Sequence, residues 1–232
     1  MNLYQANEVT KMLLEFKCSN HRSIKEKVSF SMIAGSDNTS EELLKKFGNF
    51  RILRSAVIYG ANGSGKSNFI SALSFMRDLV SNSINHQPGQ GVFQARHKLS
   101  AEETPSEYSI QFVRNDIRYA YGFSVKQNLI QDEYLYYFPR GRQVKVFERN
   151  GLDVRPGDRY KGVFDVSISI LKDNRLFLSC AANYSNIKEI EEAFMFFNTD
   201  IVVYNPEINN WTEYSIELMQ NNDMIKKVFV DM

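Results

Sequence analysis

Gly60-Ala61-Asn62-Gly63-Ser64-Gly65-Lys66-Ser67 fits G-x-x-x-x-G-K-[ST], the pattern of a phosphate-binding loop, and its reading decides the fold. The pattern also matches unrelated glycine-rich turns, so its flanks matter. Before it, residues 55–59 (SAVIY) form a short continuous apolar run, as expected of a strand covered on both faces. After it, Phe69, Ile70, Leu73, Met76 and Val80 recur at helical spacing, which predicts an amphipathic helix from Lys66 to about Asn82. A mere glycine-rich turn would not explain Lys66 and Ser67 at the start of that helix. Strand, loop and helix together predict a site for nucleotide phosphates.

The chemistry follows from the residue types. Glycines let the backbone wrap closely and adopt conformations closed to other residues. Successive N–H groups from about Asn62 to Ser67 then point inward at phosphate oxygens. The positive end of the helix dipole adds to them. The Lys66 ammonium is placed to bridge the β- and γ-phosphates, and the Ser67 hydroxyl to ligate Mg²⁺. The Asn62 side chain sits where it can approach the γ-phosphate. The expected cofactor-binding set is Gly60, Asn62, Gly63, Ser64, Gly65, Lys66, Ser67 and Asn68, with ATP and Mg²⁺ as ligands. Lys66 is also a candidate catalytic group, and Ser67 the metal ligand.

Hydrolysis needs carboxylates as well. A Walker B element is an apolar run ending in Asp, usually followed by Glu. Residues 200–207 (DIVVYNPE) come nearest, but the run ends in uncharged Asn205, and Pro206 separates it from Glu207. Residues 228–231 (VFVD) end in Asp231 on a predicted helix. Neither reads as a true Walker B, and no Ser-Gly-Gly signature occurs.

Composition bounds the rest. The chain has 232 residues, 28 basic and 27 acidic, with 43 % hydrophobic and 24 % charged side chains. These values exclude a wholly disordered chain, a collagen-like repeat, a disulfide scaffold and a uniformly basic nucleic-acid binder. Cys18 and Cys180 stand far apart with no metal-ligand spacing, so buried reduced thiols are expected. Residues 1–11 lack the apolar core of a signal peptide. No apolar run approaches the ~20 residues of a membrane span. A cytoplasmic protein is expected, with residues 1–11 as a flexible lead-in or an alternative start.

Residues 13–18 (LLEFKC) and 28–33 (VSFSMI) alternate and predict two strands, joined by the polar turn 19–23 (SNHRS). Residues 41–47 predict a short helix with Ser40 as its N-cap. Residues 108–113, 117–125, 129–138 and 143–148 predict four strands joined by hairpin-length connectors, an antiparallel meander. Ten Phe and Tyr fall between Tyr108 and Phe147. They suit half-buried strands better than a base-stacking platform. Its basic residues, Arg114, Arg118, Lys126, Arg140, Arg142, Lys145 and Arg149, read as a solvated face more than a contact for nucleic acid. Beyond Asp153 the pattern turns helical: 167–172 is short, 186–198 carries an apolar stripe, 201–204 is a brief strand and 215–229 a helix.

This order resembles the N-terminal lobe of ABC-type ATPase heads of the SMC, RecF and OLD (overcoming lysogenization defect) groups. The wording is closer to OLD-like AAA family ATPases associated with abortive infection and other anti-phage systems. The matching segments are residues 13–30 (LLEFKCSNHRSIKEKVSF), 57–80 (VIYGANGSGKSNFISALSFMRDLV), 119–123 (YAYGF), 133–139 (EYLYYFP) and 176–182 (LFLSCAA). Residues 214–227 look like the start of a further helix. The resemblance implies an α/β fold, a P-loop NTPase of the ABC-type head lobe over 12–232, with a mixed sheet plus an antiparallel β-meander. Its parts would be a P-loop strand and helix at about 55–82, the meander at about 107–150 and a helical segment at about 167–232.

The resemblance also implies roles. The loop at Asn20-His21-Arg22-Ser23 would lie near the nucleotide, making Arg22 and Ser23 phosphate or adenine-side contacts; a surface salt bridge is the equal alternative for Arg22. Asn183 matches the place of a Q-loop glutamine, one methylene shorter, so a bridging water would replace direct contact with Mg²⁺. The family's signature motif, Walker B carboxylates and switch histidine lie in a C-terminal lobe that this chain does not match, which implies a truncation, a split subunit or a degenerate relative. The implied function is ATP binding and hydrolysis by paired heads that gate an effector nuclease or toxin. The implied partners are ATP, a second copy through head–head contacts and the effector, with nucleic acid left open and no membrane. Two other readings remain: a DNA-repair ATPase head of the SMC or RecF type, and a non-hydrolysing nucleotide-binding scaffold or regulatory subunit.

Overall fold

Alternation of apolar side chains makes β1, which runs Lys11–Ser19 and buries Leu14, Phe16 and Cys18. A computed structural model describes residues 10–36 and 41–204. Lys11 belongs to this strand and not to a lead-in; residues 1–9 lie outside the described residues, as does Ser40. β1 pairs with β2 (Val28–Ser31) on one side and β5 (Ser106–Arg114) on the other. The meander continues through β6 (Ile117–Lys126), β7 (Leu129–Phe138), β8 (Val144–Asn150) and β9 (Asp153–Pro156). The sheet order is β2-β1-β5-β6-β7-β8-β9, and every pairing is antiparallel. The parallel component of the expected mixed sheet is not among the described residues.

Turn chemistry sets the register. Asn115 and Asp116 (φ 49° and 57°) and Gln127 and Asn128 (φ 49° and 63°) lie in the left-handed region. Two such residues in succession give a turn whose twist matches that of the flanking strands. Gly122 stands opposite Tyr134, whose ring crosses it; a Cβ at 122 would fall 2.7 Å from the tyrosine hydroxyl. Gly122→Ala is therefore expected to push Tyr134 aside and cost about 1 kcal/mol, a fall of about 3 °C in Tm. An unchanged melting curve would show that the ring moves freely.

Helices cover one face of the sheet. α1 (Lys66–Asn82) buries Phe69, Ala72, Met76, Leu79 and Val80, while Ile70 stays exposed. α2 (Asp165–Ser169), α3 (Phe177–Tyr184), α4 (Lys188–Met195) and a π-helical turn, Phe196–Asp200, follow. Phe112 stacks on Phe196 at 3.9 Å between ring centres, Phe147 meets Phe177 edge-on at 4.8 Å, and Phe16 meets Phe69 at 5.2 Å. Tyr108, Phe112, Tyr119, Tyr121, Phe123 and Phe147 are all buried. With Tyr137, seven of the ten meander aromatics are core, while Tyr134, Tyr136 and Phe138 are half-buried. Cys18 and Cys180 are free and buried, and burial pushes their thiols up to about 11 and about 12.

Further expectations fail for reasons outside their own segments. Residues 41–47 form no helix: after a 3₁₀ turn at Glu41–Leu43 the chain forms β3 (Leu44–Phe47), which pairs with β4 (Phe50–Leu53) across Gly48. Ile52, Phe47 and Phe50 then join Leu14 and Val113 in a small second core. Residues 55–59 form no strand, because no strand among the described residues pairs with them; Val57 is 79 % and Tyr59 87 % exposed. The chain beyond Asp153 first adds β9, a short edge strand that Pro156 ends.

The chain divides after Ile201 into a second unit, of which only residues 202–204 are described; they form neither helix nor strand. Asn205, Glu207, Asp231 and the expected helix at 215–229 lie outside the described residues.

Candidate functional site

The glycine loop enters α1 through Gly65, whose φ of +95° puts it in a left-handed conformation that any side chain would strain. A Cβ there would also sit 3.2 Å from the Ser23 hydroxyl oxygen, so the loop and the 20–24 turn approach closely. No side chain caps α1, and its first turn holds no acidic residue. The amide groups at this helix end are thus presented, with the dipole, to an anion. Gly63 (φ +82°) completes the bend.

Lys66 folds back over the loop. Its Nζ donates to the Gly60 carbonyl at 2.7 Å and to the Ala61 carbonyl at 2.8 Å. Ser64 N–H reaches the Ala61 carbonyl at 3.2 Å. The ammonium is therefore held against the backbone of the loop. Ser67 is exposed on the first turn of α1. No group of three His, Cys, Asp or Glu side chains among the described residues could hold a metal alone. The donor set fits an ion held jointly by one hydroxyl and the phosphates of a nucleotide.

Beside the loop opens a hollow of about 300 Å³, walled by Ile24, Val28, Phe30, Tyr59 and Phe69, with Ser64, Gly65 and Lys66 at its edge. It offers apolar contact next to the phosphate donors.

The structure brings the 20–24 loop to α1: Asn68 Nδ2 donates to Ser23 Oγ at 2.7 Å. Arg22 is exposed, with φ +51° and its N–H bonded to the Ala95 carbonyl at 2.6 Å. Asn183 lies on α3, exposed, its amide donating to the Ser179 carbonyl at 2.8 Å; it does not line the hollow.

Sequence reasoning missed His21. It is 1 % exposed, its Nδ1 is 2.8 Å from the Tyr108 hydroxyl and its Nε2 is 3.4 Å from Ser71 Oγ. Burial first, and the nearby Arg22 charge second, push it down to about 4, so the ring is neutral at pH 7. One histidine in a polar turn carries no signal of this in sequence.

Comparison with known families gives one finding. Residues 55–161, just under half of the chain, match a family described as "AAA domain, putative AbiEii toxin, Type IV TA system". The match supports an ATPase of the ABC/AAA-like P-loop class, for which ATP with Mg²⁺ is the general ligand. No curated protein matches the chain. No helix among the described residues is long and apolar enough to cross a membrane.

Proposed function

We propose that this chain is the ATP-binding lobe of an ABC-type, OLD-like ATPase of a bacterial anti-phage system, in which paired heads close over ATP and gate an effector. The observation that carries the reading is the Gly60–Ser67 loop, with Lys66 held against its backbone and uncapped α1 behind it, inside the segment that matches a toxin–antitoxin AAA family. The phosphate loop would hold the triphosphate, and the hollow walled by Ile24, Phe30 and Phe69 offers apolar contact for the base. Arg22 would flank the phosphates, steadied by the contact between Ser23 and Asn68, Ser67 would hold Mg²⁺, and Asn183 would act through water once the heads close. Bound Mg²⁺ supplies charge neutralisation at the phosphates. The chain's own groups bind and orient.

A DNA-repair head has less support. Of the basic residues on the meander, Arg114 pairs with Glu192 and Asp200, Lys126 with Glu103, Lys145 with Glu148 and Arg149 with Glu133. Arg118 lies 3.7 Å over the Phe138 ring. Arg149 is fully buried and Arg114 nearly so, while Lys126 and Lys145 stay partly exposed in surface pairs, in keeping with a solvated face.

Calorimetric titration tests the site. ATP and ADP are expected to bind, and AMP about 100-fold more weakly, since charge-assisted bonds to the outer phosphates are lost. Equal affinity for AMP would overturn the phosphate cradle. Phage plating on cells carrying the intact operon, with and without this gene, tests the biological role; equal plating counts against defence.

A further inference from the structure

We infer that His21 and Asn68, the latter through Ser23, are positioning residues that lock the 20–24 loop onto α1, so that Arg22 faces the phosphate loop. The inference rests on the nucleotide-binding reading above and adds the device that orients its flanking groups.

The loop is held in a costly shape. Asn20 and Arg22 both have φ of 51°, a region that asparagine tolerates and that arginine rarely occupies. Such a conformation persists only where surrounding contacts impose it, and it concentrates at functional sites. Here the contacts come from two sides. From behind, Asn20 Nδ2 donates to the Thr104 carbonyl at 2.8 Å, Asn20 Oδ1 accepts the His97 N–H at 3.0 Å, and the Ala95 carbonyl accepts the Arg22 N–H at 2.6 Å. Within the loop, His21 and Ile24 exchange two backbone bonds of 2.8 Å.

From the front, the loop is tied to the helix that carries the phosphate-binding groups. The His21 ring spans from Tyr108 on β5 to Ser71 on α1. Ser71 is four residues beyond Ser67, hence on the same helical face one turn along. Asn68, next to Ser67, donates to Ser23 Oγ. The two ties bracket Arg22 and fix it between them. A neutral imidazole suits this place, since it can donate at one nitrogen and accept at the other. An exposed arginine in a left-handed conformation, on a loop held by these eight bonds, has no packing role; what the arrangement specifies is the direction from which its guanidinium leaves the loop.

The test is a double-mutant cycle read as ATP affinity, with Tm of the nucleotide-free protein recorded beside it. Asn68→Ala and Ser23→Ala remove a surface tie and should leave Tm within about 2 °C. Each is expected to weaken ATP binding about fivefold, and His21→Ala more. In the Arg22→Ala background the same replacements should change affinity less than twofold, because the group they orient is gone. A purely structural role would instead give the same loss with and without Arg22. Additive losses, or affinities within twofold of wild type for both Asn68→Ala and Ser23→Ala, overturn the inference. If His21→Ala does not fold, the two surface variants decide alone. Wild-type protein that fails to bind ATP would overturn both readings. Wild-type binding that Lys66→Ala abolishes, with no loss in the tie variants, overturns the positioning role only.

Discussion

Lys66→Ala is expected to abolish measurable ATP binding while leaving the fold intact. Among the described residues the ammonium donates only to the Gly60 and Ala61 carbonyls, both in the loop itself, and Lys66 is not part of the core. Its removal should therefore shift Tm by no more than about 2 °C. Binding is a different matter. Two charge-assisted bonds to phosphate oxygens contribute about 3 kcal/mol or more, so the affinity for ATP should fall at least about 100-fold. Lys66→Arg is not expected to rescue it, because a planar guanidinium cannot take the place of a compact ammonium within a narrow loop. Titration with ATP and thermal denaturation of the same samples check both halves. An ATP affinity within threefold of wild type would sink the site assignment, and a collapsed melting curve would show that Lys66 holds more than its loop.

The parts legible in sequence are those whose cause is local. The 60–67 pattern followed by period-3.6 residues gives α1, which the structure bounds at Lys66–Asn82. Alternation between Asn-Asp and Gln-Asn pairs gives the meander, and β7 keeps its expected bounds, Leu129–Phe138. The failures share a dependence on remote partners. Leu44 and Phe47 are spaced for a helix, and only the β4 hairpin makes them a strand. Residues 55–59 read as a buried strand, yet burial of a strand requires neighbours on both edges and both faces. The site shows the same division: Gly60 to Ser67 announce themselves, whereas His21 acquires its role from Tyr108, 87 residues away. Arg149 read as one of a set of solvated cations because a single sequence shows no partner for it. Its side chain is in fact fully buried against Glu133.

That pair carries the largest expected effect on stability. Glu133 is buried on β7 and accepts four hydrogen bonds: from Tyr121 Oη at 3.0 Å, Arg149 Nη1 at 3.2 Å, and the Phe177 and Leu178 N–H groups at 2.6 and 2.8 Å. The last two are the first amides of α3, so one carboxylate pairs a buried cation and caps a helix. Burial pushes the carboxyl up, and Arg149 and the two amides pull it back. Arg149 also donates to the Lys172 and Arg175 carbonyls, which ties the loop before α3 to β8. Glu133→Ala strands a buried guanidinium and two helix amides at once. Breaking a buried pair from one side costs about 3–5 kcal/mol, which for a chain of this size lowers Tm by about 10–15 °C. Glu133→Gln keeps an acceptor for an α3 amide and should fall between. The double replacement Glu133→Leu with Arg149→Met removes the stranded charge and should recover part of the loss, though not the helix cap. Thermal unfolding followed by circular dichroism distinguishes these. A Glu133→Ala melting point within about 2 °C of wild type would mean that water or another acceptor replaces the carboxylate, and that α3 is held by its aromatic contacts.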